Sequence, residues 1–171
     1  VFSGRPGNYH ETDVPDADDL HGRSMLLGEV DTGAITLRTS IIGRELATKN
    51  ALVEWFLGSS NQVYGYTKAI FSGVTTDELA RVIARRVIPR PNLSGVFHVS
   101  SKPISKYELL GVIKHAYDLQ TEIVPDDSVA IDLSLNSERF REATGYRPPS
   151  WLAMIQKSHD LQILPEQPHV R

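Results

Sequence analysis

Two stretches of this chain carry the same helix-start signal, and a strand lies between them. In VTTDEL, Thr75 stands as an N-cap with Glu78 three residues on, and Val74 and Leu79 flank the pair as an apolar staple. ISKYEL repeats the device with Ser105, Glu108, Ile104 and Leu109. Helical spacing follows each start: Leu79, Val82, Ile83 and Val87 form one apolar face, and Leu109, Val112, Ile113 and Ala116 form the other. Between them GVFHVSS, Gly95 to Ser101, reads as a strand, with His98 among apolar neighbours as a satisfied core histidine. Strands alternating with helices at this spacing point to an α/β arrangement with some parallel pairing.

The remaining segments fit that frame. AITLRTSIIG, Ala34 to Gly43, is β-branched and closed by glycine, and reads as one strand buried on both faces. NALVEWFLG, Asn50 to Gly58, reads as a short helix, and NQVYGYTKAIFSG, Asn61 to Gly73, as two short extended pieces. EIVP is a short strand. IDLSLNSERFREATGYRPPSWLAMIQ gives a strand, a helix stopped by Gly145, a Pro-Pro break and a last helix capped by Ser150. The arginines Arg81, Arg85, Arg86 and Arg90 read as the solvated side of their helix. The opening VFSGRPGNY reads as the end of a strand running into a turn, as though the chain continued something.

Composition excludes several functions. With 40% hydrophobic and 23% charged residues over 171 positions, the chain has enough apolar content for a core and is not disordered. A net charge of −3 argues against nucleic acid as a partner, and no apolar run is long enough for a membrane span. The absence of cysteine removes disulfides and thiol chemistry and fits a reducing cytoplasm. No H-x-x-x-H pair occurs, and the acidic run from Tyr9 to Asp19 lacks the calcium-loop pattern, so no metal site is expected. Neither G-x-G-x-x-G nor G-x-x-x-x-G-K-[ST] is present to cradle a phosphate.

DLHGRSMLLGEV, Asp19 to Val30, is a helix with His21 and Met25 four residues apart on one face. Taken in order with VFSG, LRTSIIG, VTTDELARVI, GVFHVSS, ISKYELL and IDLSLNSERFREATGYRPPSWLAMI, it makes the chain resemble the extended short-chain dehydrogenase/reductases. The nearest likeness is to those acting on nucleotide sugars in the manner of dTDP-4-dehydrorhamnose reductase. The resemblance implies the C-terminal part of a Rossmann-like fold with a small α/β substrate-binding domain, the complete dinucleotide-binding sheet being absent. Residues 1–60 would be the Rossmann-like remnant, 61–161 mainly the substrate-binding domain, and 162–171 a tail.

The family's catalytic helix carries Tyr-x-x-x-Lys, with the tyrosine as general acid and the lysine tuning it and holding the cofactor ribose. His21 and Met25 occupy the matching positions here. An imidazolium can donate a proton near neutrality, but a thioether carries no charge and is only a weak acceptor. The catalytic face is therefore expected to be lost, with Leu26, Leu27 and Met25 packed inward and no turnover by this chain alone. The resemblance implies NAD(P)H in the family, none of it bound by this chain alone. Arg38, Thr39 and Ser40 would border the cofactor, and Tyr64 to Phe71 would line a substrate cleft. Arg38 or Lys68 could pair with a diphosphate, and Tyr64, Tyr66 or Trp55 could stack on a base or sugar, Trp55 serving equally well in a core. Three readings follow: the substrate-binding half of a nucleotide-sugar 4-ketoreductase, a non-catalytic interaction module of the same fold, or part of a full-length reductase. A homo-oligomer or a missing nucleotide-binding half is expected, because a truncated sheet leaves apolar faces uncovered.

Overall fold

The computed structural model describes residues 1–45, 51–59 and 61–163. Their order is α1 (Leu20–Leu27), β1 (Ile35–Arg38), β2 (Ile41–Ile42), α2 (Leu52–Leu57), β3 (Gln62–Phe71), β4 (Val74–Thr75) and α3 (Thr76–Val82), which runs on into a π-helical turn at Ile83–Val87. Then follow β5 (Gly95–His98), β6 (Ile104–Ser105), α4 (Lys106–Ala116), β7 (Glu122–Asp132), α5 (Glu138–Thr144) and α6 (Trp151–Ile163). The expected α/β class holds. No helix among the described residues is long and apolar enough to cross a membrane.

Among the described residues, three small sheets carry the architecture. β3 is central in one of them, with β7 parallel on one side and β6 antiparallel on the other. β1 lies parallel to β5 with Ile35 opposite Gly95, and β2 lies parallel to β4. The segment from Ala34 to Gly43 is therefore not one strand. It breaks at Thr39 and Ser40, where the chain steps between sheets: Val74 donates its N–H to the Ser40 carbonyl at 3.0 Å, and Gly73 lies so close that a Cβ there would strike that carbonyl. β1 is half-buried along its whole length, not covered on both faces.

Two other strands differ from expectation. β3 is one continuous strand of ten residues, its irregularity confined to a register shift between Tyr66 and Lys68. β7 runs through Pro125 for eleven residues instead of stopping at EIVP. It is an edge strand, where a proline's missing N–H costs no ladder bond. At Val1 and Phe2 there is no strand; Phe2 instead stacks on Tyr9 with ring centroids 4.1 Å apart.

Two apolar clusters hold the elements. Phe56, Val74, Leu109, Leu110, Ile113 and Met154 pack α2, α4 and α6 against β3 and β4. Val82, Phe97, Val99, Phe140 and Tyr146 join α3, β5 and α5. At α4 the expected capping box is complete: Ser105 Oγ accepts the Glu108 N–H, and the Glu108 carboxylate accepts from the Ser105 N–H at 3.0 Å. At α3 Thr75 is the N-cap residue but makes no cap bond, and its buried hydroxyl has no partner among the described residues. Glu78 is drawn elsewhere, gripping Arg81 and accepting from the Tyr146 hydroxyl at 3.1 Å. Arg86 and Arg90 also leave the solvated side assigned to them; both donate to the Thr144 carbonyl, where α5 ends at Gly145 with φ +66°.

α1 departs furthest from expectation. Gly22 is its one buried residue, while Leu20 is 83%, Met25 52% and Leu27 88% exposed and Leu26 is exposed as well. The expected inward packing of Met25, Leu26 and Leu27 does not occur; all three side chains are exposed. α6 continues through Ile163; the rest of the tail, 164–171, and Asn50 of the second helix lie outside the described residues.

Candidate functional site

A cleft of about 580 Å³ opens between α1 and the exit of β1. Asp19 starts α1, its carboxylate accepting the Gly22 N–H at 2.8 Å, and this bond holds the Asp19 pKa below the usual range. The turn then presents His21 and Met25 to the cleft, as their four-residue spacing requires. From the other wall come Arg38, Thr39 and Ser40, where β1 ends and the chain steps toward β2. Leu133 and Leu135, just beyond β7, are further apolar lining. The structure thus brings together five of the residues singled out in the sequence: His21, Met25, Arg38, Thr39 and Ser40.

The charges in this cleft are already committed. Glu29 holds the Arg38 guanidinium at both oxygens, with Nε–Oε1 and Nη2–Oε2 both at 2.7 Å. The same guanidinium lies over the Phe2 ring at 5.2 Å. Its Nη1 is 3.4 Å from Nε2 of His98, which is completely buried. Because a carbonyl can only accept, Nδ1 of His98 donates to the Tyr9 carbonyl at 3.0 Å, and Nε2 is left as the acceptor facing Arg38. The His98 backbone N–H in turn donates to Glu11 at 2.8 Å. Burial pushes the His98 pKa below its ordinary value, against the pull of the Glu11 carboxylate. His98 is a satisfied core histidine, as its neighbours indicated, and Arg38 is not a free cation awaiting a diphosphate.

Tyr64, Tyr66 and Lys68 lie apart from this cleft. Successive residues of β3 alternate between faces, so burial of Val63 and Gly65 sends Tyr64 and Tyr66 to the outer face, 62% and 39% exposed. Lys68 reaches out to Asp127 at 3.0 Å. Trp55 is not in the core of α2, which is filled by Val53 and Phe56. The end of β3 does face a second cavity, of about 510 Å³, lined by Ala69, Ile70 and Phe71, and this cavity shares Ser40 and Leu133 with the first. Lys106 also lines it, and sequence reasoning missed it. A signal was present: Lys106 is the first residue of α4, where the helix dipole disfavours a cation.

The residues in hand set limits on the chemistry. The cleft offers an imidazole, a thioether, hydroxyls and one arginine already ion-paired, and neither a tyrosine nor a lysine lines it. No cluster of His, Asp or Glu among the described residues could hold a metal ion.

No family model matches the chain. Over 140 residues it is 30% identical to the methionine adenosyltransferase 2 subunit beta of Danio rerio, a match covering 73% of this chain and 43% of that protein. The dTDP-4-dehydrorhamnose reductase of Bacillus anthracis, solved in complex with NADP, superposes with a TM-score of 0.77 at 18% identity, over 92% of this chain and 60% of that one. A hypothetical dTDP-4-dehydrorhamnose reductase from Sulfolobus tokodaii gives a TM-score of 0.70 at 27% identity, over 88% and 58%. The chain therefore spans about half the length of these relatives, from 43% to 60%. The segment order agrees with the resemblance read from the sequence, and the chain has the fold of the dTDP-4-dehydrorhamnose reductases.

Proposed function

We propose that this chain is the substrate-side portion of a nucleotide-sugar reductase fold, and that it binds a nucleotide sugar without reducing it. The observation that carries this reading is the makeup of the α1 cleft. His21 and Met25 stand where the family resemblance places Tyr-x-x-x-Lys, and no other lining residue supplies a phenol or an ammonium. A tyrosine acid with an ordinary pKa near 10 needs a neighbouring cation to work near neutrality. A thioether can neither supply that charge nor donate to a ribose hydroxyl. By the same reasoning the chain alone binds no NAD(P)H; a nucleotide-binding half, on this chain or another, would have to complete that site. Residues 1–60 then serve as the Rossmann-like remnant and 61–161 as the substrate domain. The lack of cysteine supports a cytoplasmic setting.

The test is to combine the chain with NADPH and a dTDP-linked 4-keto sugar. Sugar-nucleotide binding is read by calorimetry and cofactor consumption by absorbance. Binding with no NADPH oxidation above the blank is expected; steady turnover would sink the reading.

A second reading, an interaction module, is favoured by one observation: α1 carries Leu20 and Leu27, seven residues apart on one helix face and both strongly exposed. The Danio rerio relative is itself named as a subunit. A self-associating or partner-bound chain would bury that face.

A further inference from the structure

Lys106 stands in the second cavity without a counter-ion. It is half-buried, it forms no ion pair among the described residues, and its ammonium lies over the face of Phe71 at 4.4 Å from the ring centroid. The cavity's other charged groups are engaged elsewhere: Arg44 pairs with Glu54, and Glu45 accepts the Ala51 N–H at 3.0 Å. Burial lowers the Lys106 pKa, and no carboxylate opposes the shift. A ring face compensates a cation only in part, and the position at the start of α4 works against it. A positive charge held under these conditions is stabilised by an anion brought from outside. The cavity that could admit one adjoins the His21 cleft through Ser40 and Leu133, and Thr76 also lines it.

We propose that Lys106 is the anion contact of a diphosphate subsite, so that a nucleotide sugar spans both cavities with its sugar toward His21 and its diphosphate at Lys106. The inference rests on the nucleotide-sugar reading above. Lys106 acts here by charge alone: it positions the ligand and takes no part in bond breaking. Thr76 would add a hydroxyl to the same diphosphate.

The experiment has two parts on the full chain. First, dTDP and thymidine are titrated into the native chain and into Lys106→Met, which keeps the length of the stem. Loss of a charge-assisted contact predicts dTDP binding weaker by roughly tenfold or more. Thymidine binding should be unchanged, and the melting temperature equal or higher because an uncompensated cation has gone. Second, lysines of the native chain are acetylated with and without dTDP or inorganic pyrophosphate, and Lys106 is read by peptide mass spectrometry against the other lysines. Selective protection of Lys106 is expected, and this measurement does not depend on the variant folding. Full-strength dTDP binding by the variant with no protection overturns the inference and leaves the proposed function standing. Protection by pyrophosphate without any nucleotide-sugar binding supports the anion site and overturns the proposed function. Neither binding nor protection overturns both.

Discussion

Glu29, Arg38, His98 and Tyr9 form one line of contacts from the rim of the cleft into the core. Each link constrains the next. The carboxylate fixes the guanidinium, the guanidinium faces Nε2, and the Tyr9 carbonyl fixes the proton on Nδ1. A second proton on His98 would place imidazolium against guanidinium in a buried site. The unfolded chain has no such restraint and takes up that proton near its ordinary pKa of 6.5. Below that pH the unfolded state binds more protons than the folded one, so stability falls as pH drops from about 6.5 toward the lowered folded value, by up to about 1.4 kcal/mol per pH unit. Thermal melts above and below pH 6.5 should show this decline, and His98→Gln should flatten it even though the variant is less stable overall. An equal decline in the variant would mean that another group is responsible. At this scale the sequence was informative about His98, whose neighbours are apolar, and uninformative about Arg38, whose partner Glu29 lies nine residues away across a turn.

Two elements with the same start signal were built differently. At α4 the reciprocal bonds between Ser105 and Glu108 form, and they hold the Glu108 pKa below its usual range. At α3 the equivalent Glu78 is held by Arg81 and by Tyr146, which is 68 residues away, and Thr75 is left without a partner. Ser105→Ala should therefore cost about 1 kcal/mol, the usual value of an N-cap bond. Thr75→Val should be neutral or stabilising, because it replaces a buried, unpartnered hydroxyl with a methyl of the same shape. Chemical denaturation of the two variants side by side tests the contrast, and equal losses would refute it. The capping rule is local, whereas the competition for Glu78 comes from Tyr146, beside the end of α5. Pro125 misled for a related reason: a proline argues against a strand until it is known that the strand lies on an edge.

For the whole molecule, the unusual feature is that the helix carrying the candidate site is so little covered. Neither apolar core draws a residue from α1, which buries Gly22 and displays Leu20 and Leu27. An apolar helix face of this kind drives association. Sedimentation velocity over a concentration series should show self-association, weakened in the double variant Leu20→Glu with Leu27→Glu. A native chain that stays monomeric throughout would count against the interaction reading. Hydrogen exchange should likewise find the α1 amides far less protected than those of α4, since few buried contacts restrain their opening.

Periodicity, capping residues and glycine stops are read within a few residues of one another. For that reason the sequence alone determined the α/β class, the helices α1 to α6, the His21 and Met25 pairing on one helix face, and His98 as a core residue. The tertiary structure decided what depends on distant partners. It split Ala34 to Gly43 between two sheets, committed Arg38 to Glu29, turned Tyr64 and Tyr66 outward and left α1 uncovered. It also placed Lys106, which forms no ion pair among the described residues, in a cavity next to the cleft. Each of these outcomes depends on burial and on which charges meet, and those are properties of the folded packing that no window along the chain contains.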